Sequence, residues 1–335
     1  MGELCEPEGV TIDNKYIITA DIGGSSVKMG LFKVVNPSPT DSEEKDLELL
    51  HKFQITTVID KTNPKKRLLD DIADSIKNLL AKNDYGLSRE NLLGIGLGIP
   101  GPVLEKEVAV QAVNLGWKSP TDLKEELMKR IDDDIVVFAT NDANAAALGE
   151  CFYGAGRGKK SLCLITIGTG IGCGIVYDGK IINGKDGHAG EIGHINVTAS
   201  KNARVCECGK KGCLEKQSSS RSILEIYEST YNEKIDLPTL CKNAAEGEKK
   251  AYTVLNDAMS KMSRVIYSIS NILNPGIFLI GGGITHNGPI VLDLLRKNVA
   301  KKILSFDPPI DIEYATLKND AGIWGLARYV KDNTL

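Results

Sequence analysis

One histidine and three cysteines occur at spacings that suit a metal ion. His194 precedes the sequence CECGKKGC, which supplies Cys206, Cys208 and Cys213. Three thiolates and one imidazole complete a tetrahedral zinc shell with no open position, and such a zinc is structural because it folds a loop too polar to fold by itself. A chance cluster of cysteines is the alternative, but Cys-x-Cys-x4-Cys just after a histidine favours zinc.

Two glutamates close to these ligands suggest a second chemistry. Glu191 lies three residues before His194, and Glu215 lies two residues after Cys213. A zinc-bound imidazole has a second ring nitrogen, which also needs a partner. Two fixed carboxylates and an imidazole donor suit a polyhydroxylated ligand, in which each hydroxyl needs a hydrogen-bond partner. A solvated surface carboxylate is the alternative for Glu191, and the three glycines close to it make that alternative weaker.

A glycine-rich hairpin near the start of the chain could bind phosphate. Its predicted strands cover Tyr16–Ala20 and Val27–Val35, and its turn combines glycines with hydroxyl side chains, so backbone N–H groups can approach a phosphate. The candidate nucleotide contacts in this hairpin are Gly23, Gly24, Ser25, Ser26 and Lys28. Asp21 ends the first strand and could hold Mg²⁺, through water. Alone, the pattern is also that of an ordinary hairpin.

A second hairpin repeats this pattern. Residues 162–178 read LCLITIGTGIGCGIVYD, and an offset of 144 residues places Gly168 on Gly24 and Thr169 on Ser25. The candidate nucleotide contacts here are Gly168, Thr169, Gly170 and Gly172. Two unrelated hairpins are the alternative, but the matched hydroxyls favour a duplicated α/β fold with a nucleotide between its halves.

A third glycine turn follows a predicted strand over Ile277–Ile280. It consists of Gly281, Gly282 and Gly283 and could lie against the base or the ribose of a nucleotide. By itself, this turn is only a strand-to-helix connection.

Asp142 occupies a position at which ligands of α/β proteins gather. The apolar strand predicted over Ile135–Thr140 ends at Asn141-Asp142, and an alanine-rich helix is predicted over Ala143–Glu150. Ligands of such proteins bind at the carboxyl ends of the strands. Asp142 could therefore be catalytic, or it could be only the N-cap of the helix, and the pattern alone leaves both readings open.

Helical periodicity accounts for much of the remaining chain. The predicted helices cover Lys65–Lys82, a segment beginning at Thr121, Ser222–Tyr231, Ala251–Ile272 and Ala321–Val330. A buried strand is predicted over Leu92–Ile99 and a late strand over Asp311–Thr316.

Composition excludes several classes of function. The chain has 335 residues, 42% of them hydrophobic, with a net charge of −3, so nothing global favours nucleic acid. The acidic N-terminus has no apolar core of a signal peptide, and the longest apolar run is interrupted by glycines, so no membrane span is predicted. Eight cysteines, three of them at zinc spacing, indicate a reducing compartment, and we expect a cytoplasmic protein.

Together these motifs resemble the ROK family of bacterial sugar kinases, and within it the glucokinases. The matching segments run from Tyr16 to about Ala327 and include those already described. The others are Pro100-Gly-Pro, Asn114-Leu-Gly-Trp, Asn141-Asp-Ala-Asn and Asn274-Pro. The Glu-x-Gly-His motif with its cysteine cluster is the specific part of the resemblance.

The resemblance implies a fold, a reaction and residue roles. The fold is the actin-like ATPase (hexokinase/Hsp70-type) fold, with two RNase H-like α/β domains and a cleft between them. The domains would cover 14–139 with 318–335, and 140–317. The reaction is ATP-dependent phosphorylation of glucose at its 6-hydroxyl, with Asp142 as general base, catalytic Mg²⁺, structural Zn²⁺ and a homodimeric enzyme. The implied sugar contacts are Asn141, Asp142, Glu191, His194, Glu215, Gly101 and Asn114, and the glycine turns would hold ATP.

Several positions depart from the family pattern. Ser25 stands where threonine is commoner, Cys173 where a small residue is usual, and His188 where alanine or glycine is usual. The segment EKQSSSRS replaces the more usual Glu-x-x-Ala-Ser. Ser25 keeps the hydroxyl, and these departures leave the chemistry of the site intact; they concern sugar preference and kinetics.

Two alternatives accompany the glucokinase reading. The enzyme could act on another hexose, such as N-acetylmannosamine or fructose, and nothing in the sequence decides between them. The family also contains sugar-sensing repressors, which carry a winged helix-turn-helix domain before the first glycine turn. Only 20 residues precede Asp21, too few for such a domain, so we expect an enzyme.

Overall fold

The computed structural model of the chain describes residues 14–36, 45–58, 60, 62–82, 84–131, 134–304 and 308–335. The N-terminal stretch in which no signal peptide is predicted lies outside these residues, up to position 13. No helix within the described ranges is both long and apolar enough to cross a membrane.

The chain divides into two compact units. The first consists of Met1–Pro100, Glu105–Ala139 and Leu326–Leu335, and the second of Gly101–Leu104 and Thr140–Gly325. The domain bounds expected from the sequence differ in two places: residues 318–325 and Gly101–Leu104 lie in the second unit.

A five-stranded sheet forms the first unit. Its main strands are β1 (Tyr16–Ile22), β2 (Ser26–Val34), β3 (Leu47–Thr56), β4 (Leu92–Ile99) and β8 (Val137–Asn141). The order is β3-β2-β1-β4-β8, with β1–β3 antiparallel and β1 parallel to β4. The helices are α1 (Pro64–Lys82) and α2 (Leu123–Ile131). The short strands are β5 (Val103–Leu104), which belongs to the second unit, β6 (Val108–Ala109) and β7 (Thr121–Asp122).

The second unit repeats this topology. Its strands are β9 (Leu162–Ile167), β10 (Ile171–Tyr177), β11 (Lys180–Ile181), β12 (Phe278–Gly281) and β13 (Ile312–Tyr314). The order is β11-β10-β9-β12-β13, again an antiparallel meander followed by parallel strands. The predicted duplication of an α/β fold is therefore confirmed.

The second unit contains most of the helices that the structure describes. They are α3 (Asp142–Tyr153), α4 (Glu215–Ser218), α5 (Ser220–Tyr231), α6 (Leu237–Ala245), α7 (Lys249–Leu273), α8 (Ile290–Ala300) and α9 (Ala321–Thr334), whose last residues belong to the first unit. The amphipathic helix α7 buries Met259, Met262 and Ile266 in a core shared with Ile165 and Phe278 of the sheet. This core holds the strands whose ends carry the candidate site.

Some elements differ from the sequence prediction. Thr121 does not begin a helix, because residues 121–122 pair with β6 and the helix begins at Leu123. Strand β3 and helices α6 and α8 are absent from the prediction. The apolar–polar alternation typical of a strand is interrupted in β3 at Leu49-Leu50 and His51-Lys52, where the pairing with β2 also shifts register, and this break weakens the strand pattern.

Candidate active site

Asn141 is the last residue of strand β8, and Asp142 is the first residue of helix α3. Asn141 is the N-cap: its side-chain oxygen accepts hydrogen bonds from the N–H groups of Ala143 at 2.9 Å and Asn144 at 3.2 Å. Its Nδ2 donates to the carbonyl of Gly101 at 3.3 Å. Asp142 is the first helical residue, so the reading of Asp142 as the N-cap is wrong.

This position favours a charged carboxylate at Asp142. Its Oδ1 accepts from the N–H of Ala143 at 2.9 Å. The positive end of the helix dipole stabilises an anion in the first turn. The capping is carried by the neighbouring Asn141, so the side chain of Asp142 is not needed as the cap.

The glycines of GHAGEIGH allow the loop that carries Glu191 to lie directly on strand β10. A Cβ on Gly190 would overlap the carbonyl oxygen of Cys173, and one on Gly193 would lie 2.7 Å from the carbonyl oxygen of Ile171. Gly190 has a φ of 91°, which favours glycine. The loop therefore places Glu191 close to the strand that follows the second glycine turn.

Glu215 is joined to the second glycine turn by a hydrogen bond. Its Oε2 accepts from the N–H of Ile171, the first residue of β10, at 2.9 Å. A Cβ on Gly170 would lie only 2.5 Å from the same oxygen, so glycine leaves the space for the carboxylate. A predicted sugar contact and a predicted phosphate turn are therefore adjacent within one unit.

The four predicted metal ligands lie together. One ligand atom each from His194, Cys206, Cys208 and Cys213 lies within 4.8 Å of all the others. The Sγ atoms of Cys208 and Cys213 are 3.6 Å apart, as are Cys206 Sγ and His194 Nδ1. Tetrahedral zinc with metal–sulfur distances of about 2.3 Å places its sulfurs about 3.8 Å apart. The donor set and its spacing fit zinc.

The other nitrogen of His194 faces the glutamate loop. His194 Nε2 lies 3.9 Å from Glu191 Oε2, whereas Nδ1 is the atom beside Cys206. One ring nitrogen is therefore directed to the metal cluster and the other to a carboxylate, as expected for a metal-bound histidine with a polar partner.

The cysteine cluster is electrostatically suited to a cation. Burial, together with the neighbouring Cys208 and Cys206, raises the pKa of the Cys213 thiol to about 12. Three adjacent thiolates repel each other, so a bound dication is what makes the deprotonated cluster favourable. Lys216 Nζ, 2.6 Å from Glu207 Oε1, ties this loop to helix α4. The sequence reading missed this ion pair, although Glu207 lies between two of the cysteines.

The first unit presents Asp21 beside its own glycine turn. Asp21 is paired in register with Lys28 across the hairpin. A Cβ on Gly98 of β4 would lie 3.0 Å from Asp21 Oδ1, so glycine there makes room for the carboxylate. Burial raises the pKa of Asp21 to about 6, although the positive charge of Lys28 acts in the opposite direction. A carboxylate penalised by burial is suited to a divalent cation.

At a pH above about 7, replacement of Asp21 by asparagine is expected to raise the thermal midpoint of the metal-free protein. Asp21 has an ordinary pKa of 3.8 and a folded-state pKa of about 6, so the folded state binds the proton more tightly. Stability from that proton is complete below about pH 4 and is lost as the pH rises through about 6, at a cost of roughly 3 kcal/mol. Melting curves of both proteins at about pH 4 and pH 7.5 measure this, and equal midpoints at the higher pH would contradict it.

The third glycine turn abuts the second. Gly282 follows β12 with a φ of 84°, and a Cβ there would lie 2.6 Å from the carbonyl oxygen of Ile167. Gly283 is exposed, and a Cβ on it would meet nothing within 4 Å. A Cβ on Gly168 would likewise meet nothing within 4 Å. Both turns lie near the carboxyl ends of the parallel strands β9 and β12, where ligands of α/β proteins bind.

Asn114 lies in the first unit, in a short 3₁₀ helix over Val113–Leu115, and is exposed. The other candidate sugar contacts lie in the second unit, and the hydrogen bonds described for them do not include Asn114. Its role stays a prediction.

Comparison with known proteins decides the family. Residues 43–333 match the ROK family. The chain belongs to the ROK family. It is 32% identical to a glucokinase of Halalkalibacterium halodurans, over 96% of each chain. It is also 28% identical to an N-acetyl-D-glucosamine kinase of Photobacterium profundum, over 92% of this chain and 96% of that one.

Solved ROK structures share the fold. A ROK family glucokinase from Streptomyces griseus, solved in complex with glucose and AMPPNP, superposes with a TM-score of 0.71 at 26% identity, over 95% of this chain and 99% of that one. The two units with the same sheet order therefore form the actin-like ATPase fold of ROK sugar kinases, as predicted.

Proposed function

We propose that this ROK protein is an ATP-dependent hexose kinase that phosphorylates glucose at its 6-hydroxyl to give glucose 6-phosphate and ADP. One observation carries the proposal: the hydrogen bond between Glu215 and Ile171 joins a sugar-side carboxylate to the Gly168–Gly170 turn. A phosphoryl acceptor and a phosphate chain need this proximity, because transfer requires the reacting atoms within near-contact distance.

Asp142 is the proposed general base. Its carboxylate accepts the proton of the 6-hydroxyl as that oxygen attacks the γ-phosphorus of ATP. The transition state of phosphoryl transfer is loose, so the enzyme mainly positions groups and balances charge, and the proton can move late. The place of Asp142 at the N-terminus of α3 supports a charged, accepting carboxylate.

The remaining sugar hydroxyls are assigned to groups of the second unit. Glu191, Glu215 and His194 Nε2 are proposed to bind them, together with the amide of Asn141. Support comes from the 3.9 Å approach of His194 Nε2 to Glu191 and from the loop glycines that hold Glu191 on strand β10. Gly101, whose carbonyl accepts from Asn141, is proposed to complete this side through its backbone.

The glycine turns are assigned to ATP. The Gly168–Gly170 turn and the Gly23–Ser26 turn are proposed to donate backbone N–H groups to phosphate oxygens, with Lys28 as an additional positive charge. The exposed Gly282–Gly283 turn is proposed to contact the adenosine. When bound, Mg²⁺ neutralises phosphate charge, and Asp21 is the residue proposed to hold it, through water.

Zinc is the proposed occupant of the cluster of His194, Cys206, Cys208 and Cys213. A closed set of four ligands suits a structural metal. Its proposed role is to hold Glu191, His194 and Glu215 in place.

A coupled assay of ADP release across glucose, fructose, N-acetylmannosamine and N-acetylglucosamine tests the proposal. Glucose is expected to give the highest kcat/KM, by about tenfold or more, because a site built to hydrogen-bond specific hydroxyls discriminates strongly against other sugars. A higher value for another hexose would favour the alternative substrate. Sugar binding without any sugar-dependent ADP release would favour a non-enzymatic regulator.

A homodimer is proposed from the family resemblance. Light scattering at micromolar concentration is expected to give about twice the 36.2 kDa of one chain, and a mass near one chain would contradict it.

A further inference from the structure

Glu150 is a fully buried carboxylate that the proposed reaction does not use. It lies in the third turn of α3, with a relative exposure of 0%. Its Oε2 accepts from the N–H of Ala155 at 2.9 Å and of Thr316 at 3.1 Å, and from the hydroxyl of Thr316 at 3.3 Å. Its Oε1 accepts from the N–H of Leu317 at 2.7 Å.

These contacts replace water around the carboxylate with fixed backbone donors. Successive N–H groups of Thr316 and Leu317 converge on it, and Lys318 follows with a φ of 53° in the left-handed region. Consecutive N–H groups beside a left-handed residue form a concave anion site, which a side chain of the protein itself fills here. A Cβ on Gly154 would overlap Glu150 Oε2, so the glycine provides the space. Among the described residues, no Lys, Arg or His forms an ion pair with Glu150.

The segment held by Glu150 borders the third glycine turn. The N–H of Ala315 donates to the carbonyl of Ile280 at 2.9 Å, which continues the parallel pairing of β12 and β13. A Cβ on Gly281 would lie 3.7 Å from the Cβ of Ala315. Residues 315–317 therefore lie beside the start of the Gly281–Gly283 turn. The buried carboxylate of Glu150 holds the backbone of Thr316 and Leu317 by hydrogen bonds.

We propose that Glu150 is a positioning residue for the nucleotide: it fixes Thr316 and Leu317 as one border of the pocket for the nucleoside part of ATP. The inference rests on the proposed function, because it takes Gly281–Gly283 as the adenosine turn. Glu150 acts through the backbone of Thr316 and Leu317 and need not touch ATP.

Substitution of Glu150 by glutamine tests this role. Gln is nearly isosteric, but one carboxylate oxygen becomes an NH₂ group, which faces N–H donors and cannot accept from them. The dissociation constant for ATP, measured by calorimetry, is expected to rise about tenfold, the scale of one charge-assisted hydrogen bond. The KM for ATP should rise with it, while the KM for glucose stays within about twofold. Glu150→Asp keeps the charge on a shorter side chain and should give an intermediate value.

Leu148→Ala is the matched control for lost stability. Leu148 is a buried residue of the same helix, 2% exposed, and its truncation lowers the thermal midpoint without touching residues 315–317 through hydrogen bonds. Below both midpoints it should bind ATP as the wild type does. Amide hydrogen exchange over residues 315–320 should be faster in Glu150→Gln than in this control.

The outcomes separate the two proposals. Wild-type protein that binds no ATP overturns the proposed function, and the inference with it. Wild-type binding with unchanged ATP affinity in both Glu150→Gln and Glu150→Asp overturns the inference and leaves the proposed function standing. An equal loss of ATP affinity in Leu148→Ala also overturns it, because a general loss of stability would then suffice.

Discussion

Asp142→Asn is expected to lower turnover by a factor of about a hundred or more, the usual scale for loss of a general base. The amide has nearly the shape of the carboxylate but cannot accept the proton of the sugar hydroxyl. The fold should change little, because Asn141 provides the helix cap and Asp142 is only the first helical residue. The affinity for ATP should also stay close to that of the wild type.

Asp122→Asn is a matched control for this variant. Asp122 precedes helix α2 of the first unit, and its Oδ1 accepts from the N–H of Glu125 at 2.8 Å. It therefore tests the same change of side chain at another helix start, and turnover should remain within about twofold. Steady-state kinetics, circular dichroism and ATP titration of both variants measure the difference. Turnover of Asp142→Asn within about threefold of the wild type would mean that another residue activates the acceptor.

Cys208→Ser is expected to remove the metal, to lower the thermal midpoint by on the order of 10 °C and to raise the KM for sugar about tenfold or more. Cys208 is exposed, so serine leaves no cavity, and without a bound metal the substitution would be nearly neutral. Loss of the metal frees the loop that carries Glu191, His194 and Glu215, so stability and sugar binding should fall together. The expected change in turnover is smaller, since Asp142 lies on α3.

Cys241→Ala separates the metal from other effects of losing a cysteine. Cys241 is buried in the core of the second unit, away from the cluster, so its variant should lose stability but keep one metal per chain and an unchanged KM for sugar. Metal content by mass spectrometry, melting curves and steady-state kinetics compare the two. Full zinc retention with an unchanged sugar KM in Cys208→Ser would refute the proposed role of the metal.

The sequence alone identified the groups that are proposed to carry the chemistry. Cysteine spacing predicted a cluster that the structure brings within 4.8 Å. The offset between the two glycine hairpins predicted a duplicated α/β fold, and the repeated sheet order confirms it. These features are local or periodic. A metal loop uses ligands that are close in the chain, and a strand is recognised from the pattern of its consecutive residues. The identity of the sugar and the roles of Asp142 and Asn114 stay predictions.

Only the tertiary structure decided how these groups are held. It assigned the cap to Asn141 rather than Asp142, because capping depends on the dihedral angles at one residue and both side chains can cap. It joined Glu215 to Ile171 across 44 residues and Glu150 to Leu317 across 167. Such bonds leave no periodic pattern, since each depends on strands and helices packing at one particular separation. For the same reason the glycines that make room for Glu215 and Glu150 could be counted in the sequence, but the atoms they approach could not be named.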